Sequence, residues 1–133
     1  MNLLVCGGAG FIGSKFIHNH LKNNSNHKIL NLDTLTIGSN LQNLTSIKNN
    51  QNYSFIKGDI RNESLIDEIV KDVDIVVNFA AESHVDRSIA NPKPFLDTNI
   101  LGTYSILEAI RKHDKQFIHV STDEIYGDAQ GKS

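Results

Sequence analysis

The sequence predicts an α/β fold: a doubly wound parallel sheet of about five strands in the order 3-2-1-4-5, with helices on both faces. Three observations carry this. Short apolar runs alternate with segments of helical period along the 133 residues. The fourth and fifth runs are largely apolar, the pattern of strands covered on both faces rather than on one. A glycine-rich turn joins the first run to the first helical segment, which is how such sheets begin.

The elements follow in order. Residues 3–6 are an apolar strand stopped by Gly7-Gly8, and Phe11, Ile12, Phe16, Ile17 and Leu21 recur at helical spacing after it. Residues 28–32 form the second strand, which ends at Asp33 in a polar stretch running through Gly38 and Asn40. Leu41, Leu44 and Ile47 mark a short helix, and residues 53–57 the third strand, closed by a Gly58-Asp59 turn. Asn62 is a plausible N-cap with Glu63 in the first turn, and Leu65, Ile66, Ile69 and Val70 give that helix one apolar stripe. The fourth strand covers 74–79. Pro92 and Pro94 suit the start of a long helix capped by Asn91 and running to Lys112, with Phe95, Leu101, Tyr104, Ile106, Leu107 and Ile110 on its apolar positions. The fifth strand covers 117–121, and a turn-rich polar tail ends the chain. There is no internal repeat or linker, so residues 1–133 read as a single, incomplete cofactor-binding domain.

Composition excludes several classes. A formal charge of -2, made of intermixed acids and bases without a basic stripe, gives no footprint for nucleic acid or an anionic membrane. No leader-like or membrane-spanning run is present, which points to the cytoplasm. The single cysteine, Cys6, lies in an apolar strand and reads as a buried, inert thiol. His84, Asp86 and Arg87 read as a local hydrogen-bonded loop and not as a metal site, because the histidine has no partner at ligand spacing. No metal is expected. Gly127 to Ser133 resembles a phosphate loop but is one residue short and has no helix behind it.

The glycine turn carries the main chemical signal. Gly7-Gly8-Ala9-Gly10-Phe11-Ile12-Gly13 satisfies both G-x-G-x-x-G and G-x-x-G-x-x-G spacings. Such glycines allow a tight turn, close approach of backbone to a pyrophosphate, and close helix–strand packing, while the helix N-terminus offers free N–H groups to the phosphates. Asp33 follows twenty residues after Gly13, at the end of the second strand, where a carboxylate can accept from a ribose 2′-OH. That acid repels a 2′-phosphate, and Thr34-Leu35-Thr36 supplies no cation to offset it, so NAD is expected over NADP. Asp59 and Ile60 follow the third strand, where they could meet the adenine amino group and ring. Phe79-Ala80-Ala81-Glu82-Ser83 leaves the fourth strand with two small residues, which lets a dinucleotide lie against the backbone where the strand order reverses.

Four ordered motifs make up a resemblance. Residues 7–13, Ala80-Ala81-Glu82-Ser83-His84-Val85-Asp86-Arg87-Ser88, Asn99-Ile100-Leu101-Gly102-Thr103 and Ser121-Thr122-Asp123-Glu124-Ile125-Tyr126-Gly127 together resemble the extended short-chain dehydrogenase/reductase family, and the second and fourth are similar to dTDP-glucose 4,6-dehydratases in particular. The resemblance runs the length of the chain. It implies a Rossmann fold that binds NAD, with the Gly7, Gly10, Phe11, Ile12 and Gly13 turn on the pyrophosphate, Asp33, Thr34, Leu35 and Thr36 on the adenosine ribose, Asp59 and Ile60 on the adenine, and Phe79, Ala80, Ala81, Glu82, Ser83 and Thr98 along the cofactor. Ser83 and Thr122 would also reach a nucleotide-sugar substrate, Thr122 standing where the family usually has Ser.

The implied reaction is NAD-dependent dehydration of dTDP-glucose to dTDP-4-keto-6-deoxyglucose, a step of deoxysugar biosynthesis. Glu124 would take the C5 proton and protonated Asp123 would donate to the leaving C6 hydroxyl, which requires neighbouring carboxyls with pKa values driven apart. Epimerases of the family generally lack this acid pair, so a nucleotide-sugar 4-epimerase is the alternative, with a non-catalytic NAD-binding module as a third reading. The family's Tyr-x-x-x-Lys pair belongs to a helix after the fifth strand; the sequence shows no helix there, no such pair is expected within the chain, and Tyr126 belongs to the strand-five motif. The chain is therefore expected to be an N-terminal fragment, inactive alone, of a protein that forms a homodimer.

Overall fold

The computed structural model describes residues 1–127, and of Asp123 and Glu124 the backbone alone. Five parallel strands, β1 (Asn2–Cys6), β2 (Lys28–Asp33), β3 (Tyr53–Lys57), β4 (Ile75–Asn78) and β5 (Gln116–His119), form one sheet in the order β3-β2-β1-β4-β5. The order is the expected one. β1 sits at the centre, pairing Leu4 with Leu30 on one side and with Val76 on the other. The strand order reverses between β1 and β4, and the carboxyl ends of both strands open onto the same edge of the sheet.

Alternation along the central strands divides the core into two layers. Leu3, Val5, Ile29, Ile75 and Val77 face helix α1 (Phe11–Asn23) and the 3-10 helix Leu41–Ile47, through Ile17, Leu21 and Leu44. Leu4, Cys6, Leu32 and Val76 face the other way, onto Ile66, Ile69 and Val70 of α2 (Glu63–Val70) and Ile106 and Ala109 of the last long helix. Period-two side chains thus bury both faces of β1 and β4. Cys6 is fully buried, and this burial, helped by the Asp33 carboxylate, pushes its thiol up to about 12. Asn62 caps α2 as expected, its side chain accepting from the Leu65 N–H at 3.2 Å.

Three expectations need correction. The segment after β4 contains α3 (Val85–Ala90) where a loop was expected; its apolar residues Val85 and Ile89 face solvent, so no burial pattern announced it. The long helix is not uniform: it runs as α4 (Lys93–Phe95), a π-helical stretch Leu96–Gly102, and α5 (Thr103–His113). Asn91 does not cap its start; it closes α3, its N–H donating to the Arg87 carbonyl. Finally, β5 is the sheet edge that the expected order makes it, but its faces are not both covered: Phe117 is half-buried and Ile118 about half accessible.

Candidate functional site

The glycine turn is shaped by what surrounds it. Gly7 has φ +74°, and a Cβ there would lie 2.6 Å from the Ala80 backbone nitrogen, so the turn presses directly on the segment leaving β4. A Cβ on Gly13 would strike the Gly7 carbonyl oxygen, and one on Gly8 the buried Asn31 side chain. Gly10 differs: its nearest protein atom would be the Gly7 oxygen at an ordinary 3.4 Å. None of the described residues demands glycine at position 10; its side faces open space in the crevice. Beyond it, the first turn of α1 presents N–H groups without intrahelical partners, flanked by Phe11 and Ile12, which are 88% and 61% exposed.

Asp33 fastens this turn to β2. Its Oδ2 accepts from the Ala9 N–H and its Oδ1 from the Leu35 N–H, both at 2.9 Å. The second bond holds Leu35 at φ 59°, an uncommon conformation for a non-glycine residue, with its side chain turned onto the core rather than the crevice. Each carboxylate oxygen has further acceptor capacity, so the structural role leaves room for a hydroxyl donor.

These pieces line one crevice of about 700 Å³ at the carboxyl edge of the sheet. Gly7, Gly10, Phe11 and Ile12 form its floor, Asp33, Thr34 and Thr36 one end, Asp59 and Ile60 the wall beside that end, and Phe79, Ala80, Ala81, Glu82, Ser83 and Thr98 the far side. Its size suits a cofactor, and its position is the switch point of the sheet. Two expected members lie apart from its lining, Gly13 within α1 and Leu35 in the core. Ile60 is almost wholly buried and packs under Gly102, so only an edge of it faces the crevice.

Sequence reasoning missed the charged rim. Arg61 grips Asp59, its Nε and terminal nitrogen donating at 3.0 and 2.6 Å, and that hydrogen bonding holds the Asp59 carboxyl below the usual carboxylate range. Lys93 donates to Asp97 at 2.8 Å, and Asp97 lies 4.0 Å from Arg61. Among the described residues, the two Lys or Arg side chains that line the crevice therefore have acidic partners. The Lys93–Asp97 pair was legible as an i,i+4 helical contact; the Asp59–Arg61 grip depends on the turn geometry and was not.

The far end of the site is less complete. Thr122 follows β5, is exposed, and takes the Ile125 N–H on its carbonyl at 3.5 Å, but it does not line the crevice. Asp123–Tyr126 form a 3-10 turn at the carboxyl end of β5, on the same sheet edge as the glycine turn. The side chains of Asp123 and Glu124 lie outside the description, as do Gly131, Lys132 and Ser133 of the phosphate-loop look-alike. The Tyr-x-x-x-Lys spacing does occur once, at Tyr53 and Lys57, contrary to expectation. It falls on β3, where residues four apart are separated by about 13 Å rather than one helical turn, and the Tyr53 hydroxyl takes a hydrogen bond from Asn31 at 3.0 Å. It is no substitute for a helical pair.

Comparison with known proteins places this geometry. The Bacillus anthracis dTDP-glucose 4,6-dehydratase, solved in complex with NAD, superposes with a TM-score of 0.87 at 46% identity, over 100% of this chain and 41% of that one. The low-salt glycan biosynthesis protein Agl12 of Haloferax volcanii is 47% identical over 129 residues, 96% of this chain and 41% of its own length. A dTDP-glucose 4,6-dehydratase of Mycobacterium tuberculosis is 44% identical over 130 residues, 98% of this chain and 39% of its own. The chain thus spans about two fifths of the length of these relatives. The family model described as GDP-mannose 4,6 dehydratase matches residues 4–133, which takes in the glycine turn, Asp33, the segment after β4 and the turn after β5, and the chain belongs to that family.

Proposed function

We propose that this chain is the NAD-binding part of a nucleotide-sugar 4,6-dehydratase that acts on dTDP-glucose. The observation that carries the reading is the single crevice in which the glycine turn, Asp33 and the segment from Phe79 to Ser83 meet at the switch point. The residues present fit NAD. Gly10 leaves its side open where a pyrophosphate would approach, the first turn of α1 offers N–H donors, and the Asp33 carboxylate keeps acceptor capacity for a ribose hydroxyl. They fit NADP poorly, because Asp33 repels a 2′-phosphate while Arg61 and Lys93 are held by Asp59 and Asp97.

When bound, NAD supplies the temporary hydride acceptor that a redox-neutral dehydration between C4 and C6 of the hexose requires. The chain's own residues supply position and proton transfer. Thr122 holds the C4 oxygen, Glu124 removes the C5 proton made acidic by the 4-keto group, and protonated Asp123 gives a proton to the C6 hydroxyl as it leaves as water. Ser83 reaches both cofactor and sugar. The apolar face formed by Leu101, Tyr104 and Leu107, exposed in this chain, supports a homodimer of the complete protein.

Isothermal titration tests the cofactor half: NAD should bind more tightly than NADP by about tenfold to a hundredfold, the worth of one repulsion or lost hydrogen bond. NADP binding as tightly as NAD would overturn it. The catalytic half is tested in the complete protein. Asp123→Asn and Glu124→Gln should each lower formation of the 4-keto-6-deoxy product by about a hundredfold or more, and full activity in both variants would sink the assignment. Turnover of the UDP, CDP or GDP sugar in preference to the dTDP sugar would correct the nucleotide alone.

A further inference from the structure

The Asn99-Ile100-Leu101-Gly102-Thr103 motif has no part in the crevice chemistry described so far, yet its first residue makes a specific contact with the crevice wall. Asn99 Oδ1 accepts from the Glu82 N–H at 2.8 Å, and Asn99 Nδ2 donates to the Glu82 carbonyl at 2.9 Å. One side-chain amide thus satisfies both backbone groups of a single residue in an irregular segment, as a neighbouring strand would. The segment needs such a partner. Beyond Phe79 it has no ladder to join, and it must keep Ala80 to Ser83 at the crevice surface.

The helix carrying Asn99 is itself unusual at this point. Asn99 lies in the π-helical stretch Leu96–Gly102, which also puts Thr98 in the crevice lining and Gly102 against Ile60. A Cβ on Gly102 would approach the Ile60 side chain to 2.5–2.6 Å, so the helix is seated tightly there. Short π-helical segments are uncommon and concentrate at functional sites. Within this stretch two consecutive residues serve two surfaces, Thr98 the crevice and Asn99 the wall behind it.

We infer that Asn99 is a positioning residue that sets the crevice wall at Glu82 and Ser83 for the half of the dinucleotide beyond the pyrophosphate. The inference rests on the cofactor reading given above. The glycine turn and Asp33 lie on the β1–β2 side of the switch point and serve the adenosine and pyrophosphate, whereas Glu82 and Ser83 lie on the β4 side. Loss of the clamp should therefore weaken NAD and leave ADP alone.

The test is titration of NAD and of ADP into the chain and its Asn99→Ala variant, with amide hydrogen exchange read at Glu82. Asn99→Ala should bind NAD about tenfold more weakly, the effect of two lost hydrogen bonds to a mobile wall, bind ADP within twofold of the unaltered chain, and exchange the Glu82 amide faster. Unchanged NAD affinity in Asn99→Ala overturns the inference while leaving the cofactor reading intact. So does an equal fall for NAD and ADP, since that marks a general structural role. An unaltered chain that binds neither nucleotide overturns both. Should Asn99→Ala fail to fold, Asn99→Asp, which keeps the acceptor and loses the donor, is read in its place: weaker NAD with unchanged ADP supports the clamp, and NAD affinity equal to that of the unaltered chain overturns it.

Discussion

Single atoms decide what the glycine turn tolerates, and they separate folding from binding. Gly10 sits at the N-cap with φ -72° and ψ 175°, a conformation open to any residue, and a Cβ there meets only an ordinary contact. Gly10→Ala should therefore alter stability by less than about 1 kcal/mol yet weaken NAD binding at least tenfold, because the methyl occupies the space the pyrophosphate needs. Gly13→Ala should do the reverse in kind: alanine favours the helix, but its Cβ would run into the Gly7 carbonyl and come within 2.8 Å of Gly8 Cα, backbone that cannot give way. A loss of about 1–3 kcal/mol is expected. Urea denaturation and NAD titration of the two variants check both statements, and equal stability losses would show that the turn was misjudged. The spacing of the glycines and Asp33 was legible in sequence because a dinucleotide site fixes it. The division of labour was not. Whether a glycine is required by a neighbour or by a ligand depends on Asn31, Ala80 and the Gly7 carbonyl, which only the folded turn brings into place, and the grip of Asp33 on the Ala9 N–H spans a sequence distance that no local pattern reports.

Among the elements, the central strands and α1, α2 and α5 were readable because each buries one periodic set of side chains: Leu3 and Val5 against Ile17, Leu4 and Cys6 against Ile66 and Ile106. The π-helical stretch was not readable, since widening one turn leaves the apolar composition unchanged, and α3 was not because it buries nothing. The end of α1 carries a testable consequence. His20 Nε2 lies 2.9 Å from His27 Nδ1 in the loop leading to β2, and the His20 ring also packs on Phe16, which packs on Phe79 at the crevice. Burial, then the neighbouring His27 and the chain's amino terminus, lower the His20 pKa below its ordinary 6.5. The folded state thus binds fewer protons at this site than the unfolded one. Its contribution to stability is complete above pH 6.5 and is lost as pH falls below that value toward the lowered folded pKa. Denaturation at pH 7.5 and 5.5 should show a smaller acid-induced loss in His20→Gln than in the unaltered chain; equal losses would mean that the pair does not resist protonation.

The whole molecule is a sheet with a well-covered centre and two unlike margins. β1 and β4 are buried on both faces, while β5 ends the sheet with Ile118 exposed and Val120 exposed just after it, and the helices present Leu96, Ile100, Leu101, Tyr104 and Leu107 to solvent. An apolar strand edge offers unpaired N–H and C=O groups to any similar strand, and a contiguous apolar helix face adds a driving force for association. Relatives of this chain extend well beyond the matched two fifths, and further sequence of that kind is one means of covering such surfaces. The 133-residue chain by itself should consequently self-associate, and Leu101→Lys with Leu107→Lys should shift it toward monomer without touching the crevice. Each charge placed on an exposed apolar face removes association energy at little cost to the fold, because the positions are half accessible already. Size-exclusion chromatography with light scattering, run beside an NAD titration, reads both properties. The unaltered chain eluting as a clean monomer would show that these surfaces are stable in water as they stand; a double variant that loses NAD binding along with self-association would show instead that the crevice needs the assembly to keep its shape.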